Sequence, residues 1–175
     1  MQDIDDRARA VRLAIFDVDG VMTDGRLYYT ERGEELKVFD VRDGHGLKML
    51  QRSGVRLALL TSRASRAVAL RAENLGIDLV HQGVADKLAA LEKLLATLEL
   101  APRAVSYMGD DLIDLPVLRR CGLALSVPEA PPDVRAAVHY VTQAPGGRGA
   151  VREACELILR AQGSYAAQAD SHLGA

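Results

Sequence analysis

Cysteine is scarce. Cys121 and Cys155 stand alone rather than in a C-x-x-C pair, and the four histidines are scattered without metal-ligand spacing. A disulfide framework and a zinc site are both excluded by that usage, leaving two buried thiols as the expectation. The chain also lacks a preponderance of one charge. With a formal charge of -2 and a pI near 6.1, it carries no electrostatic footprint for nucleic acid or an anionic membrane, so the expected partner is small. Long apolar runs are missing as well, with no stretch of about 18 such residues. Met1 to Arg12 is charged and has no apolar h-region. The expectation is a cytoplasmic protein with no membrane partner.

What is present is a chain of 175 residues, 49% hydrophobic, which is the size of one domain able to bury a core of its own. Short β-branched runs alternate with longer stretches of helical period, the pattern of an α/β protein with a doubly wound parallel sheet. Strands are predicted at Leu13 to Asp17, Val55 to Leu60, Val105 to Met108 and Leu123 to Val127. Helices are predicted at Leu47 to Arg52, Ser65 to Asn74, Asp86 to Leu98, Leu115 to Arg120 and Ala150 to Ala161. Leu27 to Thr30 and Leu36 to Phe39 flank a polar, glycine-containing turn and suggest a β-hairpin over 26–39. Residues 164–175 are small and polar and read as a mobile tail.

In such a sheet ligands bind beyond the carboxyl ends of the strands, so the residues just after each strand should carry the chemistry. Asp17-Val18-Asp19, Thr61-Ser62-Arg63 and Gly109-Asp110-Asp111 occupy those places. Like charges about 4 Å apart repel by about 4 kcal/mol at an effective dielectric of about 20, so the carboxylates need a counter-ion. Oxygen-only ligands, few in number and with room for water and a substrate oxygen, suit Mg²⁺ better than Ca²⁺. An EF-hand loop is ruled out, because Val21 and Met22 stand where D-x-D-x-D-G needs its third aspartate and its glycine.

A strand-end aspartate beside a metal can attack a phosphate monoester to give a phosphoaspartate, the role expected of Asp17. Asp19, two residues on, points to the same side of an extended backbone and can protonate the leaving alcohol, then deprotonate the hydrolytic water. Lys87 at the start of its helix is the cation that offsets phosphate charge, and Thr61 can donate to a phosphoryl oxygen, although a helix cap is its ordinary alternative.

In order and spacing, "DVDGVMTDG", "TSR", Lys87 in "ADKLAAL" and "GDDLIDLP" resemble the four motifs of the haloacid dehalogenase phosphatases. "RDGHGLKML", "LGIDLVHQG", "GDDLIDLPVL" and "GGRGAVREAC" narrow the resemblance to the branch acting on an eight-carbon ulosonic acid 8-phosphate in lipopolysaccharide synthesis. The resemblance implies a Rossmann-like haloacid dehalogenase fold with Asp17 as nucleophile and Asp19 as general acid/base. Magnesium would be held by Asp17, Asp110 and the backbone carbonyl of Asp19, with Asp111 and Asp114 supporting. Arg63, Arg71 and the loop Arg42-Asp43-Gly44-His45-Gly46 would bind the phosphorylated sugar acid. Ser62 departs from the branch's usual T-G-R. Neither place for an inserted cap domain is large enough to hold one, so the hairpin is expected to cover a neighbouring subunit's site, in the homotetramer that the resemblance implies. Two other readings stay open: a phosphatase for a nine-carbon ulosonate 9-phosphate, and a catalytically silent binding module on the same fold.

Overall fold

The computed structural model describes residues 2–170. Along the chain α1 (Gln2–Arg9) precedes β1 (Leu13–Phe16), β2 (Tyr28–Tyr29), β3 (Glu35–Leu36) and α2 (Val41–Arg52). Next come β4 (Arg56–Leu60), α3 (Arg66–Leu75), β5 (Leu79–His81), α4 (Lys87–Leu98) and β6 (Val105–Met108). The chain continues through α5 (Leu115–Leu118), β7 (Leu123–Ser126), α6 (Pro132–Ala136), β8 (Tyr140–Val141), α7 (Ala150–Ala161) and α8 (Tyr165–Asp170).

Six strands form one parallel sheet in the order β5-β4-β1-β6-β7-β8. All residues of β1, β6 and β7 are buried, as expected of central parallel strands with helices on both faces. After β1 the chain winds outward through β4 and β5, then returns to the other side of β1 for β6, β7 and β8. The winding therefore reverses between β1 and β6, which opens a crevice at their carboxyl ends. Register fixes what meets there. Phe16 pairs with Leu59 on one side and Met108 on the other, so Asp17, Thr61 and the Gly109–Asp110 pair emerge close together.

No cap domain interrupts the sheet. Gly20 to Leu60 contains the β2–β3 hairpin and α2 before β4, and Thr61 to Lys87 contains α3 and β5. The hairpin is a separate antiparallel pair with Tyr28 opposite Leu36.

Several element boundaries differ from the expectation. α2 starts at Val41 rather than Leu47, because Asp40 caps it, accepting from the Arg42 N–H at 2.6 Å. Gly44 and Gly46 weaken the periodic signal over its first turns, yet they are what lets α2 lie close to its neighbours. A Cβ on Gly46 would come 2.9 Å from Arg152 Cδ, and one on Gly44 would come 2.3 Å from Arg71 Nη2. The expected tail holds α8, and the Arg160 guanidinium sits 3.6 Å from the centre of the Tyr165 ring. Residues 171–175 of that expectation lie outside the described residues. Cys121 and Cys155 are free and buried.

Candidate active site

Asp17 follows β1, and its N–H continues the ladder by donating to the Met108 carbonyl at 2.9 Å. Lys87 arrives from the other direction. Asp86 caps α4 by accepting from the Ala89 N–H at 2.9 Å, which sets Lys87 as the first helical residue and turns its side chain into the crevice. Its Nζ donates to Asp17 Oδ2 at 2.8 Å and to Asp114 Oδ1 at 2.6 Å. All three residues are buried. Burial works against the Lys87 ammonium, but the two carboxylates outweigh it and raise its pKa.

Asp114 is saturated. Tyr107 O–H and Lys87 Nζ occupy its Oδ1, while the backbone N–H groups of Asp110 and Asp111 donate to Oδ2 at 3.1 Å each. It starts α5 but makes no cap hydrogen bond to that helix; its carboxylate instead ties the 110–111 turn to Lys87. Asp111 accepts from the Leu112 N–H at 2.7 Å.

Carboxylate oxygens of Asp17, Asp110 and Asp114 lie within 4.8 Å of one another. Among the described residues no ion pair reaches Asp110, and burial, followed by the charges of Asp17 and Asp114, pushes its pKa up to about 8. Burial likewise lifts Asp17 to about 6 against the pull of Lys87. The Lys87 ammonium is already shared between two carboxylates and Lys37 is engaged with Asp19, so the cluster is short of positive charge. Gly20 makes the arrangement possible: at φ +87° it presents no side chain, and a Cβ there would stand 1.9 Å from Asp110 Oδ2. A hard divalent cation fits this donor set, with Asp17 and Asp110 available to it and Asp114 committed elsewhere.

A cleft of about 260 Å³ opens over these groups. Asp17, Asp19, Thr61, Ser62, Arg63, Lys87, Asp110 and Asp111 line it, so these sequence-predicted residues converge on one site.

The hairpin closes one side. Arg63 Nη2 donates to Glu35 Oε1 at 2.9 Å and to Tyr29 Oη at 3.2 Å. Lys37, whose side chain is only 2% exposed, reaches Asp19 Oδ1. Sequence reading missed Lys37 and Tyr107. The signal for Lys37 was its spacing of two from Glu35, which puts both on one face of a strand. Tyr107 sits in a wholly buried apolar strand, where no pattern marks it.

Other expected substrate-binding residues do not line the cleft. Asp43 is buried between α2 and α7, accepting from the backbone N–H of Arg152 at 2.8 Å and of Gly149 at 3.3 Å; it caps α7 from a distance in sequence. Gly44 and Gly46 are helix-packing positions, and His45 lies between them on α2. Arg71 donates to the Asp40 carbonyl at 3.1 Å and lies over the Phe39 ring, 5.6 Å from its centre. Arg42 is exposed and pairs with Asp40 at 3.1 Å. The structure thus places these six outside the cleft lining, with packing, capping and ion-pair partners from neighbouring elements.

Comparison with known proteins agrees with this geometry. Residues 70–152 match the haloacid dehalogenase-like hydrolase family. The chain is 51% identical to the 3-deoxy-D-manno-octulosonate 8-phosphate phosphatase of Yersinia pestis, over 91% of this chain and 86% of that one. Against the Escherichia coli K12 enzyme of the same name the identity is 47%, covering 92% and 86%. A solved structure of that phosphatase from Moraxella catarrhalis, in complex with magnesium, phosphate and a KDO molecule, superposes with a TM-score of 0.97 at 43% identity, covering 98% of this chain and 99% of that one.

Proposed function

Because the chain belongs to the 3-deoxy-D-manno-octulosonate 8-phosphate phosphatase family of haloacid dehalogenase-like hydrolases, we propose that it hydrolyses this phosphomonoester to 3-deoxy-D-manno-octulosonate and phosphate, in lipopolysaccharide biosynthesis. The observation that carries the reading is the meeting of Asp17, Lys87 and Asp110 at one open cleft, in a chain so similar to phosphatases of that name. Intact acid, base and cation sets also weigh against a silent binding module.

Asp17 attacks phosphorus, and the bond to the sugar C8 oxygen breaks as Asp19 gives that oxygen a proton. Asp19 then takes a proton from water, which attacks the phosphoaspartate and releases phosphate and a free Asp17. Lys87 and the Thr61 hydroxyl face the phosphoryl oxygens and offset the charge that the attacking carboxylate meets. Magnesium is the cofactor, held by Asp17, Asp110 and the Asp19 carbonyl; when bound it supplies the positive charge that this acidic cluster lacks. Arg63, at the cleft wall, is the cation for the sugar-acid carboxylate, with Ser62 beside it.

Two further parts of the reading concern setting. The hairpin exposes Tyr29, Leu36 and Val38 at 58%, 56% and 65%, which supports assembly through this element into a homotetramer. Free, buried Cys121 and Cys155 support a reducing compartment, the cytoplasm.

Phosphate release from 3-deoxy-D-manno-octulosonate 8-phosphate, with and without magnesium and against a panel that includes nine-carbon ulosonate 9-phosphates, tests the activity. Magnesium-dependent turnover that prefers the eight-carbon ester is expected. Turnover of none of these esters would overturn it. Light scattering tests the assembly.

A further inference from the structure

Asp19 has two oxygens in unlike surroundings. Its Oδ1 accepts from Lys37 Nζ, while Oδ2 is buried and has no hydrogen-bond partner among the described residues. Arg63 Nε lies 3.7 Å from Oδ2, beyond hydrogen-bond reach. Lys37 is itself anchored, with Glu35 Oε1 3.3 Å from its Nζ, and Glu35 in turn accepts from Arg63.

We propose that Lys37 is the positioning residue of the acid/base: by occupying Asp19 Oδ1 it fixes the carboxyl's orientation and leaves Oδ2 as the oxygen that carries the proton to the leaving group and later receives one from water. A carboxylic acid has a single O–H to give, and an ammonium has only donors, so the oxygen facing Lys37 cannot be the one that holds the hydrogen. The remaining oxygen has no hydrogen-bond partner among the described residues and belongs to a residue that lines the cleft. Lys37 does not line the cleft and acts through Asp19 alone. The hairpin thereby contributes to the chemistry of its own chain, in addition to any contact with a neighbouring subunit. This inference rests on the assignment of Asp19 as general acid/base.

The test is the leaving-group dependence of kcat/KM, which ends at the first irreversible step, for the magnesium-loaded full chain. An alkyl monoester, the sugar-acid phosphate, needs a proton on its departing oxygen. An aryl ester with an acidic phenol, p-nitrophenyl phosphate, leaves without one. For Lys37→Met, kcat/KM should fall about 100-fold on the alkyl ester and by less than about 3-fold on the aryl ester, within the range that general acids contribute. Lys37→Arg, which keeps a donor at this place, should recover at least about a tenth of the alkyl activity. Thermal melting of both variants verifies that they fold.

An equal loss on both esters, no loss on either, or no recovery with arginine would overturn the proposal. Asp19→Asn run in parallel separates this idea from the one beneath it. If Asp19→Asn shows the alkyl-selective loss and Lys37→Met does not, only the role of Lys37 fails; if Asp19→Asn itself shows no selectivity, the acid assignment fails with it.

Discussion

Lys87 Nζ meets Asp17 Oδ2 at 2.8 Å although 70 positions separate the two residues in sequence. The contact joins the end of β1 to the start of α4, and it keeps a buried carboxylate from standing without any compensating charge. Asp17→Asn preserves the shape of that contact but replaces the attacking oxygen anion with an amide. We expect turnover to drop at least about 1000-fold, with a circular dichroism spectrum and melting temperature close to those of the parent. Retention of near-normal turnover would remove Asp17 from the role of nucleophile.

Asp110 and Asp17, raised to about 8 and about 6 by burial, with the charges of Asp17 and Asp114 adding at Asp110 and that of Asp114 adding at Asp17 against the pull of Lys87, make stability depend on pH in a defined direction. In the folded chain both keep their protons at pH values where the unfolded chain has released them, from about 4 upward. The native state therefore binds more protons through this window, and its stability falls as pH rises toward 8. In the presence of a chelator the melting temperature should decline from pH 5 to pH 8. Added magnesium should raise it more at pH 8 than at pH 5, since the cation competes with protons for the same oxygens. Scanning fluorimetry across both series reads the effect; a flat chelated series would contradict it.

Asp110→Asn removes a half-buried charge that has no ion-pair partner among the described residues. Without magnesium this variant should melt several degrees higher than the parent at pH 8, where the parent's aspartate is most often charged. The same variant should lose the magnesium-dependent rise in melting temperature and nearly all phosphatase activity. A lower chelated melting temperature would show that the carboxylate stabilises the fold by itself.

Asp43→Ala deletes the acceptor for the Gly149 and Arg152 N–H groups at the start of α7. Loss of a cap of this kind costs about 1–2 kcal/mol, so a clear fall in denaturation midpoint is expected. Since Asp43 does not line the cleft, KM for the sugar-acid phosphate should change by less than about 3-fold. A large rise in KM with unaltered stability would return Asp43 to the substrate site.

Much of the fold was legible because its central strands are short, apolar and bounded by polar turns, so that β6 over Val105–Met108 and α7 over Ala150–Ala161 match the reading from sequence. The convergence of Asp17, Thr61, Lys87 and Asp110 on one cleft follows from a single rule, that parallel strands deliver their carboxyl ends to the same edge. Lys37 escaped because its meaning depends on the hairpin folding back over Asp19, a long-range event that no local period encodes. Arg71 and Asp43 show the reverse. Asp43 sits in a stretch rich in charge and glycine and Arg71 in an ordinary helical one, and the long-range partners of each side chain, which set its place in the fold, are not written in either local pattern.

The placement of α7 bears on how the chain is made. This late segment packs on α1 and α2, and the loop before it presses Gly146 against the Gly20 carbonyl, where a Cβ would stand 1.9 Å away. A ribosome emitting the polypeptide thus delivers the nucleophile's strand first and the piece that locks its loop last. Until residues 146–161 emerge, the faces of α1 and α2 that α7 covers stay open to solvent.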